Sequence, residues 1–267
     1  MKPLDGQVAV VTGASRGVGK GIALGLGEAG ATVYVTGRSV SRGSLPGTIG
    51  ETAEEVTALG GRGIAAACDH GDDAQVAELF ARVSRERGRV DILVNNAFAV
   101  PDGKLVAPFW ELPIEQWDVM HRVGLRSHYV AAWHAAPLMI AQKRGLIVNV
   151  SSFGAKIQAV NVAYGVGKAG VDRMTRDMGR ELSSHSVTVV SLWPGVVKTE
   201  RLLAEPDRLG FDATNGESPT LSGRAVAAIA ADPERLAKTG KPLVVAELAV
   251  EYGFTDVDGT VPTSMRR

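Results

Sequence analysis

Short apolar runs recur along the chain at residues 8–12, 32–36, 63–68, 91–95, 146–151, 188–192 and 243–246. Most are rich in valine and isoleucine with little polar alternation, which is typical of strands buried on both faces of a parallel sheet. Helical patterns lie between them at residues 17–29, 49–59, 72–87, 113–142, 162–183 and 221–231. This alternation predicts a single α/β domain over residues 1–267: a doubly wound, mostly parallel seven-stranded sheet with helices on both faces.

The composition narrows the possible classes of function. Of 267 residues, 45% are hydrophobic, which excludes wholesale disorder. The 29 basic and 29 acidic residues cancel, which argues against nucleic acid or an anionic membrane surface as the main partner. The one cysteine, Cys68, excludes an internal disulfide, and the histidines have no metal-ligand spacing, so no metal is expected. The N-terminus lacks the apolar core of a secretion signal and no run is long enough to span a membrane, which predicts a cytoplasmic protein.

A glycine-rich turn follows the first apolar run. Residues 13–19 read Gly-Ala-Ser-Arg-Gly-Val-Gly, between a predicted strand and a predicted helix. Glycines at such a junction let backbone N–H groups face a pyrophosphate, while the helix N-terminus adds partial positive charge. The spacing is not the general GxGxxG fingerprint, and an isolated match could also be a tight turn. Its position at the first strand–helix junction favours dinucleotide binding.

The end of the second run indicates which dinucleotide is bound. A site selective for NAD has Asp or Glu near this point to bond the adenosine 2′-hydroxyl. Here the residue is Arg38, and Arg16 lies within the glycine turn. Two guanidinium groups suit a 2′-phosphate; the alternative is that both are ordinary solvated arginines. NADP(H) is therefore the expected cofactor, with NAD(H) possible.

A tyrosine and a lysine lie four residues apart in one predicted helix. Tyr164 and Lys168 share a helix face, and Ser151-Ser152 end the strand that precedes them. A nearby cation stabilises a phenolate, which proton exchange with a carbonyl oxygen requires. On spacing alone such a pair is more often a solvated helix face. Together with the glycine turn and the serines, the pattern favours catalysis.

Several motifs occur together in a fixed order: TGASRGVG, Asp69 after the third run, Asn95-Asn96-Ala97, Ser151-Ser152, YxxxK and PGVVKT. This set resembles the short-chain dehydrogenase/reductase family over about residues 5–200. The resemblance implies a Rossmann-type fold, hydride transfer between NADP(H) and a carbonyl/alcohol pair, and assembly as a homodimer or homotetramer. The partner would be a small-molecule substrate.

The resemblance also implies roles for individual residues. Tyr164 would be the general acid for reduction and the base for oxidation, Lys168 would lower the pKa of the phenol, and Ser152 would polarise the substrate carbonyl. Tyr164 and Lys168 also match the cofactor site, where Lys168 would bond the nicotinamide ribose. The other residues matched to cofactor binding are Gly13, Ser15, Arg16, Gly17, Val18, Gly19, Arg38, Asp69, Asn96, Ala97, Pro194, Gly195, Val197 and Thr199.

The chain departs from the family pattern at three points. Gly124 falls where the family usually has a catalytic Asn, so a proton relay through an Asn side chain is not expected at this position. A water, His121 or His128 could take the place of the Asn, although packing is the simpler role for both histidines. Phe98 stands where the family usually has Gly. Ser152 lies twelve residues before Tyr164, one fewer than usual, and Ser151 is a lesser candidate for its role.

The substrate-binding part of the site is predicted from aromatic residues and from two irregular segments. The candidate substrate residues are Phe98, Ser152 and Trp193. The aromatic side chains of Phe98 and Trp193, together with those of Phe109 and Trp110, would form an apolar pocket; the alternative is that they belong to the core. Residues 200–223 match the family's substrate loop, and residues 242–267 form a C-terminal strand and tail. The expected protein is an NADP(H)-dependent oxidoreductase acting on a hydrophobic carbonyl or secondary alcohol. The alternative is a non-catalytic NADP-binding sensor or scaffold on the same fold.

Overall fold

The computed structural model describes residues 1–266 and contains one seven-stranded sheet in which every described strand pair is parallel. The strand order is β3-β2-β1-β4-β5-β6-β7, so the chain reverses direction across the sheet after β3. This confirms the predicted Rossmann-type fold. The strands are β1 (Val8–Val11), β2 (Thr32–Gly37), β3 (Arg62–Ala67), β4 (Ile92–Asn95), β5 (Gly145–Val150), β6 (Val187–Trp193) and β7 (Pro242–Val244).

The described part of the chain also contains ten α-helices, nine between strands and one after β7. They are α1 (Gly17–Glu28), α2 (Ile49–Ala58), α3 (Asp73–Arg87), α4 (Glu115–His121), α5 (Ser127–Gln142), α6 (Val162–Leu182), α7 (Glu200–Ala204), α8 (Pro206–Leu209), α9 (Pro219–Ala231) and α10 (Val245–Tyr252). In residues 1–266, no helix combines the length and the apolar character that crossing a lipid bilayer requires.

Two apolar cores cover the two faces of the sheet, because successive side chains of a strand point to opposite faces. In β1, Ala9 and Val11 belong to the core formed with α1, α2, α9 and α10, whereas Val8 and Val10 belong to the core formed with α3 and α5. The strands are therefore buried on both faces, which explains their uninterrupted apolar runs.

Helices α1 and α9 cross at very short range because glycines form the contact. A Cβ atom added to Gly25 would lie 2.5 Å from the carbonyl carbon of Gly223, and one added to Gly21 would lie 2.0 Å from the carbonyl oxygen of Pro219. Backbone thus packs directly on backbone. This contact sets the position of α1, whose N-terminus forms one end of the site described below.

The structure corrects two predicted elements. The segment 113–142 is not one helix: α4 and α5 are separated by a wide, π-type turn over Arg122–Arg126, in which Val123 and Gly124 leave helical geometry, Gly124 with φ of 146°. The last strand ends at Val244 rather than at residue 246, and the C-terminal segment 242–267, expected to be a strand and a tail, also contains α10. Helices α7 and α8, and the start of α9, lie within the expected substrate loop.

Candidate active site

A cleft of about 520 Å³ opens at the carboxyl ends of the strands, where parallel α/β sheets bind their ligands. The structure brings to this cleft every predicted catalytic and cofactor residue, together with Phe98 and Ser152, but not the aromatic residues Trp193, Phe109 and Trp110. The predicted residues that line it are Gly13, Ser15, Arg16, Gly17, Val18, Gly19, Arg38, Asp69, Asn96, Ala97, Phe98, Ser152, Tyr164, Lys168, Pro194, Gly195, Val197 and Thr199.

The glycine turn has the shape that close approach of a ligand requires. Gly13 and Gly17 have positive φ of 65° and 57°, which favour glycine. A Cβ atom on Gly13 would lie 2.8 Å from the Cα of Ala97, and one on Gly19 would lie 2.3 Å from Nδ2 of Asn96. The turn can therefore pack against residues 96–97, just after β4, only if positions 13 and 19 carry no side chain.

Asn96 and Thr12 join the glycine turn to the end of β4. The Asn96 side chain donates from Nδ2 to the carbonyl oxygens of Thr12 and Gly13, at 2.9 and 3.0 Å. The Thr12 hydroxyl accepts from the backbone N–H groups of Asn96 and Ala97, both at 2.9 Å. The predicted cofactor-lining residue Asn96 thus holds the turn in place.

The N-terminus of α1 already holds an anionic group. The N-cap residue Arg16 makes no side-chain capping bond, and the backbone N–H of Gly17 instead donates to Oε2 of Glu200 at 2.7 Å. The N–H groups and dipole of a helix N-terminus favour negative charge. A carboxylate therefore stands where the pyrophosphate was expected, so the residues of this end fit an anionic dinucleotide. Glu200 lies beside the predicted residue Thr199, but no pattern singled it out.

Basic and polar side chains line the far end of the cleft. Arg38 follows β2 and is largely exposed, with Nη1 3.7 Å from Oδ2 of Asp69. Arg16 is half-buried; its Nη2 donates to the Gly47 carbonyl at 2.8 Å and lies 3.3 Å from the Ser39 hydroxyl. Arg16, Arg38 and Ser39 line the same cleft, and burial lowers the pKa of Arg16.

Ser152 and Tyr164 are joined directly. The Tyr164 hydroxyl donates to Oγ of Ser152 at 2.9 Å, and the same oxygen accepts the Gly154 N–H at 3.1 Å. Ser151 instead donates to the Lys168 carbonyl at 3.2 Å. The geometry thus distinguishes the two serines, because Ser152 contacts the phenol and Ser151 supports the helix. Both bonds to Ser152 Oγ are accepted, so its own O–H is free for a ligand oxygen.

Helix α6 places Tyr164 and Lys168 on the face that lines the cleft. Asn161 caps the helix, its Oδ1 accepting the Tyr164 N–H at 2.9 Å, so the tyrosine sits in the first turn. One turn later, Nζ of Lys168 donates to the carbonyl of Val150 at 3.0 Å. The lysine is buried, with 7% of its surface exposed. A loop serine and a capped helix therefore bring three polar groups to the same cleft.

Burial governs the titration of this pair. It lowers the pKa of Lys168 to about 8, against the opposing charge of Asp172. It raises the pKa of Tyr164, although the hydrogen bond to Ser152 opposes this. In these contacts desolvation outweighs the hydrogen bond to Ser152, so the net shift of the Tyr164 pKa is upward. The lowering expected from Lys168 stays a prediction.

Trp193 does not belong to the cleft, which corrects its prediction as a substrate residue. It is 1% exposed, its ring packs against Phe153 with centroids 5.0 Å apart, and Nε1 donates to Oδ1 of Asp172 at 3.1 Å. Phe109 and Trp110 are largely exposed and lie outside the cleft lining. All these aromatic residues lie in or beside irregular segments of the sequence. That position alone cannot tell an aromatic side chain of the pocket from one in the core or on the surface.

The two histidines weighed as substitutes for the missing Asn pack outside the cleft. His128 is buried, its Nε2 lies 3.2 Å from the Ala97 carbonyl, and burial with the charge of Lys168 lowers its pKa to about 3. His121 stacks edge-on against Trp117 with centroids 4.0 Å apart, and burial lowers its pKa. Neither lines the cleft, which agrees with a packing role.

Apolar residues that no sequence pattern singled out also line the cleft. They come from segments far apart in the chain, including the expected substrate loop and the C-terminal tail, so no local pattern could identify them. They are Val100, Leu105, Met120, Phe153, Ile157, Ala159, Val160, Phe211 and Met265.

Comparison with known proteins agrees with this geometry. The family model for short chain dehydrogenase matches residues 7–208. The chain is 46% identical to "Dehydrogenase/reductase SDR family member 1" of Mus musculus, over 96% of this chain and 85% of that protein. Among solved structures, a short-chain type dehydrogenase/reductase from Mycobacterium marinum has a TM-score of 0.80 at 27% identity, covering 90% of this chain and 94% of its own. A metagenomic short-chain oxidoreductase in complex with NADP has a TM-score of 0.74 at 32% identity, covering 91% and 97%.

The chain therefore belongs to the short-chain dehydrogenase/reductase family of oxidoreductases, whose members bind NAD(P) and act on CH–OH or C=O groups of small molecules.

Proposed function

We propose that this protein is an NADP(H)-dependent oxidoreductase that interconverts a hydrophobic carbonyl compound and its alcohol. One observation carries the proposal: the Tyr164 hydroxyl bonds Ser152 at 2.9 Å, one helical turn from buried Lys168, inside a cleft whose other end is a glycine cradle. A phenol held this way can pass a proton to an oxygen that also contacts Ser152.

The chain's own residues would bind the substrate and handle its proton. The bound dinucleotide supplies or accepts the hydride. Ser152 donates its free O–H to the carbonyl oxygen and orients it, and Tyr164 transfers its proton to the same oxygen. Because burial raises the pKa of Tyr164, the phenol stays protonated at neutral pH, which is the form that carbonyl reduction needs. Lys168 holds positive charge near Ser152 and Tyr164.

The preference for NADP(H) over NAD(H) rests on the far end of the cleft. Arg38 stands directly after β2, and the acid expected of an NAD-selective site is not at that position. Arg16 and Ser39 line the same end. Guanidinium and hydroxyl groups suit a 2′-phosphate. The NADP complex of the metagenomic relative supports this assignment.

The apolar side chains of the cleft indicate the class of substrate. Leu105, Met120, Ile157, Phe211 and Met265 all belong to the cleft lining. Such a surface favours an alkyl or aryl ketone, an aldehyde or a secondary alcohol over a charged sugar acid. The C-terminal tail, through Met265, would contribute to that selectivity.

We also propose that the protein assembles as a homodimer or homotetramer. Large apolar side chains are exposed along α5 and α6, among them Trp133, Val162 and Val166. Burying such surface is the usual drive for association. Sedimentation velocity tests this, and a monomer at micromolar concentration would contradict it.

Two measurements test the function. Fluorescence titrations with NADPH and NADH at equal ionic strength measure cofactor binding, and a panel of apolar ketones and aldehydes is then assayed with NADPH. Tyr164→Phe should lower kcat by about 100-fold to 10,000-fold while NADPH still binds, because only the transferable proton is lost. Tyr129→Phe, the same change on an exposed ring of α5, is the matched control.

The competing function is an NADP-binding sensor or scaffold, favoured by the glycine at position 124. It predicts that NADPH binds while neither the unmodified protein nor the Tyr164→Phe variant turns over any carbonyl in the panel. Undiminished turnover in the Tyr164→Phe variant would instead reject the mechanism and keep the enzyme.

A further inference from the structure

Two departures from the family pattern meet in space. Phe98 and Gly124 are 26 positions apart, yet a Cβ atom added to Gly124 would lie 2.5 Å from Cδ2 and 2.9 Å from Cε2 of Phe98. Gly124 also has φ of 146°, in the wide turn between α4 and α5. The phenyl ring therefore occupies the space that any side chain at position 124 would need.

The same ring touches both members of the proposed catalytic pair. Its centroid lies 5.8 Å from that of the Tyr164 ring at an interplanar angle of 89°, an edge-to-face contact. Nζ of Lys168 lies over the Phe98 ring, 5.1 Å from the centroid. A buried ammonium has three protons to satisfy, and the negative face of a ring compensates part of its charge.

We propose that Phe98 is a positioning residue: its ring fills the place of a side chain at position 124, packs Tyr164 into its bond with Ser152 and offers its face to the Lys168 ammonium, so that the pair works without an Asn side chain. The inference rests on the proposed function of Tyr164 and Lys168. Phe98 acts through those two residues, and Gly124 is required because any larger residue collides with the ring.

The groups that surround Lys168 determine how a change at Phe98 will be read. Asp172 lies one turn further along α6 and favours the charged amine, and Tyr164 lies one turn before it. His128 of α5 faces the amine but is neutral, with a pKa of about 3, and His121 of α4 packs beside Gly167 with a lowered pKa. Between about pH 6 and 9, Lys168 is therefore the group of this set that titrates.

The electrostatic test is the pH dependence of kcat with acetophenone and NADPH as probes. Loss of the Lys168 proton removes the positive charge near Tyr164, so kcat should fall at alkaline pH. Phe98→Leu keeps most of the volume and removes the aromatic face, so the ammonium loses stabilisation and this fall should move down by about half to one pH unit. Phe98→Tyr keeps the face and should restore the profile. Phe211→Leu, the same change at another aromatic residue of the cleft, should alter KM without shifting the pH at which kcat falls.

The steric test needs no turnover. Gly124→Ala is introduced both into the unmodified protein and into the Phe98→Leu variant, and thermal unfolding of the four proteins measures the coupling of the two positions. We expect Gly124→Ala to destabilise the Phe98→Leu variant less than the unmodified protein, because the smaller side chain yields space for the Cβ atom.

The outcomes separate the two proposals. If the unmodified protein reduces no ketone in the panel, the proposed function fails and the positioning role of Phe98 fails with it, whatever the stability coupling. If the enzyme is active but the Phe98→Leu profile superimposes on that of the unmodified enzyme, the ring is only pocket wall and this inference is overturned. Equal destabilisation by Gly124→Ala with and without Phe98→Leu would reject the steric pairing.

Discussion

Arg38 is the single side chain on which cofactor preference depends most directly. It is largely exposed at the end of β2, beside Asp69. Arg38→Asp removes a donor to a 2′-phosphate and adds repulsion, so we expect Kd for NADPH to rise by about 10-fold to 100-fold while Kd for NADH changes little. Paired titrations measure the ratio. Arg42→Asp, on an exposed arginine of the following loop outside the cleft lining, controls for net charge, and an unchanged ratio in Arg38→Asp would remove Arg38 from 2′-phosphate recognition.

Glu200 makes a different prediction at the other end of the cleft. Its carboxylate accepts the Gly17 N–H where a pyrophosphate would bind, so the two anions compete. Glu200→Gln should lower Kd for NADPH and NADH alike, by roughly 3-fold to 10-fold, because both cofactors carry the pyrophosphate. Glu54→Gln, on an exposed carboxylate outside the cleft lining, is the control. A change confined to NADPH would assign Glu200 to the 2′-phosphate end instead.

At the scale of single residues, motifs predicted what polypeptide geometry fixes locally. The glycine turn spans consecutive positions and the Tyr164–Lys168 pair shares one helix face, so their spacing carries the information; Ser152 was indicated by its place at the end of an apolar run. Trp193 was assigned wrongly because its side chain turns into the core to bond Asp172, and no local pattern encodes that direction. The contact of Phe98 with Gly124 depends on how two distant segments pack.

At the scale of elements, the crossing of α1 and α9 is a sharp case of glycine packing. A Cβ atom on Gly25 would lie 2.5 to 2.8 Å from backbone atoms of Gly223, which cannot move aside alone. We expect Gly25→Ala to destabilise the protein by about 2 to 3 kcal/mol despite the higher helix propensity of alanine. Denaturant unfolding measures it.

A second glycine in a helix supplies the control for that prediction. Gly50 lies in α2, and its added Cβ would meet only the Thr48 hydroxyl at 3.8 Å. Gly50→Ala should therefore be neutral or stabilising by up to about 1 kcal/mol. Equal effects at both positions would mean that the α1–α9 contact relaxes without cost.

The sequence does not indicate the break between α4 and α5, and the reason is physical. Residues 113–142 have the length and composition of one helix, and a single glycine within a helix costs only about 1 kcal/mol. The turn at Arg122–Arg126 forms where the chain passes the Phe98 ring, a tertiary contact that overrides local preference.

At the scale of the whole molecule, the apolar runs predicted the sheet because burial on both faces leaves a simple signature. The predicted strand at residues 243–246 differs from β7 by one residue at its start and by two at its end. The sequence does not reveal α10, because the apolar residues at its start continue the apolar run of the strand. The cleft lining includes Leu105, Phe211 and Met265 from three distant segments, so only the folded chain brings these apolar residues together.

Glu217 couples the site to the stability of the whole chain. It is 4% exposed, and its Oε2 accepts the Gly195 N–H at 3.0 Å, in the segment that lines the cleft. Burial and the charge of Asp256 raise its pKa from 4.5 to about 7, against that hydrogen bond. Between pH 4.5 and 7 the folded state therefore binds more protons than the unfolded state, so this group makes stability fall as pH rises through that window.

Glu217→Gln removes this titration while keeping an oxygen that can accept the Gly195 N–H. We expect the variant to be more stable than the unmodified protein at pH 8, by about 2 kcal/mol, because the cost of the buried charge is gone; the advantage should shrink towards pH 5. Urea unfolding at both pH values measures it, and Glu54→Gln on an exposed carboxylate is the control. A stability difference of the same size at both pH values would show that Glu217 acts through packing and that its charge does not link the cleft to pH.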